Sequence, residues 1–505
     1  MKKRRREKAR RKTKTKTKTK IKIKIKIKIK TKTTKKNKKN KSKNPPGPAG
    51  SPASPENRVN GPPDYVKDTI VAVATPPGKG GIGVVRVSGP QTEKIAKEIT
   101  GTIPQPRMAT KARFIAADGE QFDAGIVLFF PEPDSFTGES VLELHGHGGP
   151  VVMSMLVDAA IANGARRAEP GEFSQRAFLN GKLDLAQAEA IADLINSGSS
   201  QAARAALRTL SGSFSAAVDT LQAEVITTRL HVEVAIDFPE EEIDFLKDEK
   251  LLQQIDRCTS AFAALLQEAR IGRVLRDGFR VVILGKPNAG KSSLLNLLSG
   301  EDTAIVTEIA GTTRDILREQ INIDGLIVEL VDTAGLRDNP GVIEEEGIRR
   351  AREAQKNADA ILWITDATDD DQAVEHTGET PLIILRNKTD VSGEIAGIIQ
   401  EQPPVLNISA KTGAGVDELR KIIRRTAGYR DLGEGAFTAR KRHVDALILA
   451  REHFERGKKA LQKSGAGEIL AEELRLAQQA LGAITGAFSS DDLLGRIFSE
   501  FCIGK

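Results

Sequence analysis

Gly285-Lys286-Pro287-Asn288-Ala289-Gly290-Lys291-Ser292 fits G-x-x-x-x-G-K-[ST], and its setting narrows the fold more than any other segment does. The apolar run Val281-Val282-Ile283-Leu284 leads into it and reads as a buried strand. Ser293-Leu294-Leu295-Asn296-Leu297-Leu298 follows and reads as a helix start. A glycine loop between strand and helix turns backbone N–H groups inward, where they cradle phosphate oxygens at a helix N-terminus. Lys291 supplies a point charge for the outer phosphates, and the Ser292 hydroxyl suits magnesium. The segment therefore requires an α/β domain that binds a nucleotide.

Three further boxes follow in order. Asp332-Thr333-Ala334-Gly335 closes the apolar run Ile327-Val328-Glu329-Leu330-Val331. A carboxylate at that strand end suits a water-mediated magnesium contact, and the glycine N–H can sense a terminal phosphate. Asn387-Lys388-Thr389-Asp390 follows Leu382-Ile383-Ile384-Leu385, and its Asp390 can accept two hydrogen bonds from the guanine edge, which adenine lacks. Ser409-Ala410-Lys411 is similar to the box that closes over the base. Each tetrapeptide alone is weak; four in order after apolar runs point to a guanine-nucleotide hydrolase. Leu336 stands where many small GTPases place a water-orienting glutamine, so help for the attacking water must come from elsewhere.

The net charge of +8 misleads. Residues 1–44 hold 25 of the 76 Lys and Arg and one acidic residue, which leaves residues 45–505 with 51 basic and 67 acidic side chains. The body is acidic, and the high isoelectric point belongs to the tail. Alternation from Thr13 to Lys30 has a strand's period, but lysine repulsion opposes a strand, so residues 1–63 read as a disordered tail and a Pro/Gly/Ser linker. Attraction to RNA or to an anionic membrane is one reading of that tail, and a translated low-complexity repeat or an overlong start assignment is the other. Two cysteines in 505 residues fit a reducing compartment, expected to be the cytoplasm. No apolar run is long enough to span a membrane.

The expected fold class is multidomain. An α+β domain occupies 64–181, with strands expected at 68–75, 83–87, 124–130 and 140–145. A helical domain begins at 182–277 and resumes at 431–505, and a Ras-like P-loop domain at 278–430 is inserted between its halves. Phe238-Pro239 with Glu240-Glu241-Glu242 marks a break between helices, and Ser489-Ser490-Asp491-Asp492 starts the last one. Gly78-Lys79-Gly80-Gly81-Ile82-Gly83 matches G-x-G-x-x-G, but a strand is expected after it where a dinucleotide site needs a helix. Glu143, His145 and His147 alternate and could share a strand face around a metal. Cys258 lies in a helical apolar pattern and reads as a packed thiol.

From about Asp68 to Lys505 the chain resembles the MnmE (TrmE) family of tRNA uridine-modification GTPases. Asp68-Thr69-Ile70-Val71-Ala72, Ala74-Thr75-Pro76-Pro77-Gly78, Pro170-Gly171-Glu172-Phe173, Leu183-Asp184-Leu185-Ala186-Gln187-Ala188-Glu189-Ala190, Gly311-Thr312-Thr313-Arg314-Asp315 and the ending Phe501-Cys502-Ile503-Gly504-Lys505 carry the likeness. The resemblance implies a homodimer formed through the N-terminal domain, a tetrahydrofolate-derived one-carbon donor there, and a flavoprotein partner, MnmG. Together they modify C5 of the wobble uridine of certain tRNAs, driven by GTP hydrolysis coupled to potassium-dependent contact between GTPase domains.

The resemblance also implies residue roles. GTP contacts fall on Asn288, Ala289, Gly290, Lys291, Ser292 and Ser293, then on Thr307, Glu308, Ile309, Ala310, Gly311, Thr312 and Thr313, and on Asp332 to Gly335, Asn387 to Asp390 and Ser409 to Lys411. Magnesium takes Ser292 and Thr313; potassium takes Asn288, Thr307, Ile309 and Thr312. Glu344 assists the attacking water, although by residues alone it is a solvated acid in Glu344-Glu345-Glu346. Folate contacts fall on Arg86, Glu143, Lys182 and Lys505, and Cys502 serves the modification chemistry. A pure switch that docks on ribosomes or RNA is the competing reading, and the nucleotide boxes alone do not separate the two.

Overall fold

The computed structural model describes residues 67–237, 248–286, 288–301, 318–332, 358–369, 380–428, 435–487, 491–499, Phe501 and Gly504. The Lys-rich tail, the 238–242 break and Ser489-Ser490 lie outside them.

The first elements are β1 (Thr69–Val73), β2 (Gly80–Ser88), α1 (Thr92–Thr100), β3 (Thr110–Ile115), β4 (Gln121–Phe130), β5 (Val141–Gly148), α2 (Pro150–Ala162), β6 (Ala165–Arg167) and α3 (Glu172–Leu179). The strands form one sheet in the order β3-β4-β5-β2-β1-β6, antiparallel except for β1 with β6. Period-two alternation sorts its faces. Val85, Val87, Leu142 and Leu144 point into a core with Ile95 and Ile99 of α1 and Leu156 and Val157 of α2. Arg86 and Glu143, opposite each other in the β2–β5 register, therefore lie on the other face. Ile70, Ala72, Ala168 and Phe173 cluster on that side. The strands expected at 68–75, 83–87, 124–130 and 140–145 are β1, β2, β4 and β5; β3 and β6 were not foreseen. Gly80–Ser88 is a strand, so the G-x-G-x-x-G match does not open a helix.

Four helices follow: α4 (Leu185–Ile195), α5 (Ser200–Leu210), α6 (Ser213–Asp237) and α7 (Glu249–Asp277). Asp184 starts α4 with a reciprocal cap, its carboxylate accepting the Gln187 N–H at 2.8 Å and the Gln187 side chain accepting the Asp184 N–H at 3.0 Å.

Gly278, at φ +81°, turns the chain from α7 directly into β7 (Phe279–Gly285). Then come α8 (Lys291–Glu301), β8 (Arg318–Ile323), β9 (Leu326–Asp332), β10 (Ala360–Asp366), β11 (Leu382–Asn387), α9 (Thr389–Ser392), β12 (Gly397–Glu401), β13 (Pro404–Asn407) and α10 (Val416–Thr426). The sheet order is β12-β13-β11-β10-β7-β9-β8, parallel from β13 to β9 with antiparallel β12 and β8 at its edges. Val281, Val282, Ile283, Leu362 and Ile364 are buried to the last percent or two, as a parallel sheet covered on both faces requires.

The chain returns to α11 (Lys441–Ser464), α12 (Gly467–Thr485) and α13 (Asp491–Ser499). Phe214, Val218, Phe262 and Leu266 from before the nucleotide domain share one core with Phe437, Leu447, Phe454 and Leu474 from after it. Cys258 is buried in that core, 3.6 Å from the Thr228 hydroxyl, as a packed thiol should be, and burial pushes its pKa up. No helix among the described residues is long and apolar enough to cross a membrane.

Candidate functional site

Parallel pairing brings the boxes to one edge of the sheet. β7 ends at Gly285, β9 at Asp332 and β11 at Asn387, all at the carboxyl end where α/β sheets bind ligands. In register, Ile283 lies beside Asp332 and Asp366 beside Asn387.

Two glycines of the first box are structurally compulsory. A Cβ on Gly285 would lie 2.1 Å from the Ile364 carbonyl oxygen, and one on Gly290, at φ +94°, would lie 2.1 Å from Asn387 Nδ2. Asn288 adopts φ +64°, a left-handed conformation asparagine tolerates better than most residues. Lys291 starts α8 and is 9% exposed; its Nζ donates to the Gly285 carbonyl at 3.0 Å and the Lys286 carbonyl at 2.8 Å. Its ammonium is thus folded against the loop that would wrap phosphates. Ser292 and Ser293 are exposed on the first turn.

Asn387 is the keystone of the base side. Buried at 2% exposure, it donates from Nδ2 to the Ala289 carbonyl at 2.8 Å and accepts the Ala410 N–H at Oδ1, also at 2.8 Å. One amide side chain therefore ties the phosphate loop to the Ser409-Ala410-Lys411 loop. The Ser409 hydroxyl donates to Asp390 Oδ1 at 2.7 Å, which aims a carboxylate that is itself exposed. Lys388, left-handed at φ +72°, directs its Nζ to Asp366 Oδ2 at 2.6 Å. Residues 307–313, Thr333, Ala334, Gly335, Leu336 and Glu344 lie outside the described residues, as does the side chain of Asp332.

On the second face of the first sheet, partly covered by Phe173 of α3, Glu143 Oε1 accepts Arg86 Nε at 3.0 Å and Nη2 at 2.8 Å. The guanidinium also lies 5.7 Å from the Phe136 ring and 5.9 Å from the Phe173 ring. Lys182 instead donates to the Pro133 carbonyl at 3.0 Å. Glu143 Oε2 lies 3.3 Å from His145, but His147 turns to Asp123 at 2.6 Å. The alternating acid and histidines thus do not converge, and no three such side chains among the described residues could hold a metal.

The C-terminal segment packs on the same domain. Phe501 is buried with Leu185, Leu494 and Phe498. A Cβ on Gly171, at φ +68°, would lie 2.5 Å from the Phe498 carbonyl oxygen and 2.9 Å from Phe501 Cβ. A Cβ on Gly504 would lie 2.3 Å from the Val73 carbonyl oxygen, at the end of the strand that pairs with β2 and hence close to Arg86. Cys502 and Lys505 lie outside the described residues.

Two ionic clusters join residues mostly far apart in the sequence, the i,i+4 pair Glu172–Arg176 excepted. Arg176, 2% exposed, reaches Asp68 at 2.6 Å, Glu172 at 2.8 Å and Glu139 at 3.1 Å, fixing α3 against the sheet. Glu189, 1% exposed, faces Arg442 at 2.6 Å and His443 at 2.8 Å; Asp193 faces Arg440 at 2.7 Å and Arg276 at 2.8 Å. These pairs join α4 to both ends of the helical domain where the nucleotide domain leaves and returns. Asp366 was also missed, yet it closes an apolar run just as Asp332 does.

A parallel sheet with a phosphate loop after β7 and an Asn-Lys-x-Asp box after β11 defines a P-loop guanine-nucleotide-binding protein, here set between two stretches of helix. Family comparison agrees. Residues 185–502 match the MnmE helical domain, and residues 69–182 match the GTP-binding protein TrmE N-terminus. A tRNA modification GTPase MnmE of Stutzerimonas stutzeri is 55% identical over 451 residues, covering 87% of this chain and 99% of the relative. Those of Vibrio cholerae, 54% identical over 453 residues, and Coxiella burnetii, 52% over 447, are covered to the same extents. The chain belongs to the MnmE family.

Proposed function

We propose that this protein hydrolyses GTP and uses the cycle to modify the wobble uridine of certain tRNAs. The observation that carries the nucleotide half is the Asn387 bridge between phosphate loop and base loop, with Asp390 aimed by Ser409. A carboxylate held for two donors binds guanine and leaves adenine unmatched. The tRNA half rests on the relatives' names.

The phosphate loop fits a triphosphate with magnesium: its glycines admit no Cβ, and Lys291 is held beside the loop by carbonyls that a phosphate can replace as partners. Ser292 and Thr313 would hold magnesium, which supplies neutralisation of phosphate charge. Asn288, with Thr307, Ile309 and Thr312, would hold potassium, consistent with the left-handed turn that presents Asn288. Glu344 would orient the attacking water that Leu336 leaves unassisted. Thr333, Ala334 and Gly335 would follow the terminal phosphate, with Glu308, Ala310 and Gly311 closing from the other side.

Arg86 and Glu143 form a charged, ring-flanked pair that fits a tetrahydrofolate derivative: the acid suits pterin donors, and the bases, with Lys182 and Lys505, suit a glutamate tail. Such a group supplies a one-carbon unit. Cys502 would act as nucleophile or acid toward the uridine, consistent with a C-terminus that packs beside Val73. We place the domain boundaries at 64–181, 182–277, 278–430 and 431–505. A homodimer, association with the flavoprotein MnmG, and a cytoplasmic location complete the reading.

Nucleoside mass spectrometry of tRNA from cells whose only copy carries Cys502→Ser tests it. Unmodified wobble uridine with GTP hydrolysis intact is expected; normal modification would defeat the chemical half of the reading. Equal affinity for ATP and GTP would defeat the other half.

A further inference from the structure

The turn that follows β10 takes no part in any recognised nucleotide box, yet it holds a lysine from each of two of them. Lys388 Nζ donates to Asp366 Oδ2 at 2.6 Å, and Lys286 Nζ donates to Asp369 Oδ2 at 3.2 Å. The turn is itself preorganised. Asp366 Oδ1 accepts the Thr368 N–H at 3.0 Å and its hydroxyl at 2.7 Å, while the Asp369 N–H donates to the Asp366 carbonyl at 3.1 Å. The Ala367 N–H donates to the Asn387 carbonyl at 2.8 Å, so turn and base box are also joined by backbone. One carboxylate oxygen is thus consumed in fixing the aspartate, which leaves the other at a fixed point for Lys388.

We propose that Asp366 is a positioning residue for guanine-nucleotide retention, acting by pinning Lys388. The proposal rests on the guanine-nucleotide reading above. Lys388 is held in a left-handed backbone conformation between Asn387, which bridges the loops, and Asp390, which is aimed at the base edge. With its ammonium fixed, the four-carbon stem is tethered at both ends beside the base box, and its apolar length can cover one face of a purine ring. A free lysine would have to lose rotamer freedom each time a base bound, whereas the pinned one has already lost it. Asp366 acts on the ring face and not on its edge, so its effect should not depend on the exocyclic amino group. The lysine hydrogen bond, then the Thr368 N–H, lower the Asp366 carboxyl to about 2, so the pin is charged at any pH where nucleotide is bound.

The test is stopped-flow release of GDP and of IDP, which lacks that amino group, from the full-length chain. Asp366→Asn and Lys388→Ala are measured singly and together. For a partly exposed ion pair, Asp366→Asn should speed release of both nucleotides by about threefold to fivefold. The thermal midpoint should be unchanged. In the double variant Asp366→Asn should add nothing to Lys388→Ala, because its effect passes through that lysine. Parent-like release from Asp366→Asn overturns the proposal, as does additivity in the double variant or an effect on GDP alone. If the parent binds neither nucleotide, the guanine-nucleotide reading falls and this proposal with it.

Discussion

Arg442 donates two hydrogen bonds, of 2.7 and 2.6 Å, to Glu189, which precedes it by 253 residues. His443 completes the arrangement. Its Nδ1 accepts the Arg440 N–H at 3.0 Å, so its proton sits on Nε2, which faces Glu189 at 2.8 Å. The imidazole is therefore neutral, and burial lowers its pKa more than the facing carboxylate raises it. Burial alone would raise the Glu189 carboxyl, but the N–H that neutral His443 donates and the Arg442 guanidinium outweigh it and hold that carboxyl below its ordinary range.

Both shifts act in the same direction with pH. Each group binds fewer protons folded than unfolded near its ordinary pKa, so stability is full above that value and falls as pH drops toward the folded one. For His443 the loss begins below 6.5, and for Glu189 below 4.5. The urea midpoint of the helical domain should therefore fall between about pH 7 and about pH 5, and His443→Gln should flatten that slope. Glu189→Gln should cost about 3 kcal/mol at neutral pH, because it strands the Arg442 charge. A pH-independent parent midpoint would contradict the neutral histidine.

Gly171→Ala should loosen the C-terminus. The substitution places a methyl group against Phe498 and Phe501 at φ +68° and should cost about 1–3 kcal/mol. Protease protection of the last residues should weaken and tRNA modification should fall, with GTP hydrolysis preserved. Unaltered protection would mean that the segment is held elsewhere.

Asp390→Asn should exchange the base preference. An amide cannot accept the two guanine donors but can donate to the C2 oxygen of xanthine, and Ser409 can still orient it. Calorimetry should show GTP affinity reduced by at least about a hundredfold and xanthosine triphosphate affinity raised. Retained GTP affinity would remove Asp390 from base reading.

Asn288→Ala should abolish the response to potassium while retaining most GTP affinity. Part of its effect is backbone strain of about 1 kcal/mol at φ +64°, so Asn288→Gly, which relieves that strain, should be equally deaf to potassium. Turnover in potassium and sodium chloride distinguishes the outcomes; equal turnover of the parent in both salts defeats the ion's role.

Legibility in the sequence followed locality. β7, β9 and β11 announced themselves because each is a largely apolar run followed by a box. β10 is equally buried but ends in Asp366 without a recognised box, and β6 has only three residues, two of them arginine. Edge strands β3 and β12 carry mixed patterns because half of their surface faces water. Arg86 and Glu143 were placed by resemblance; alternation explains why they share a face. Glu189 could not be read at all. An acid in an alanine-rich helix looks solvent-facing, and its partners lie beyond an entire intervening domain.

The ends of that intervening domain all but touch. A Cβ on Gly272 in α7 would lie 2.5 Å from the carbonyl oxygen of Phe437, on the returning chain. An interruption whose two ends coincide imposes almost no loop-closure entropy on its host, so the host can gain or lose it without rebuilding its own core. Such a geometry is that of a module acquired whole. A gene in which a short Gly/Ser bridge replaces residues 278–434 should still encode a folded helical protein, whose own core takes no residue from that range.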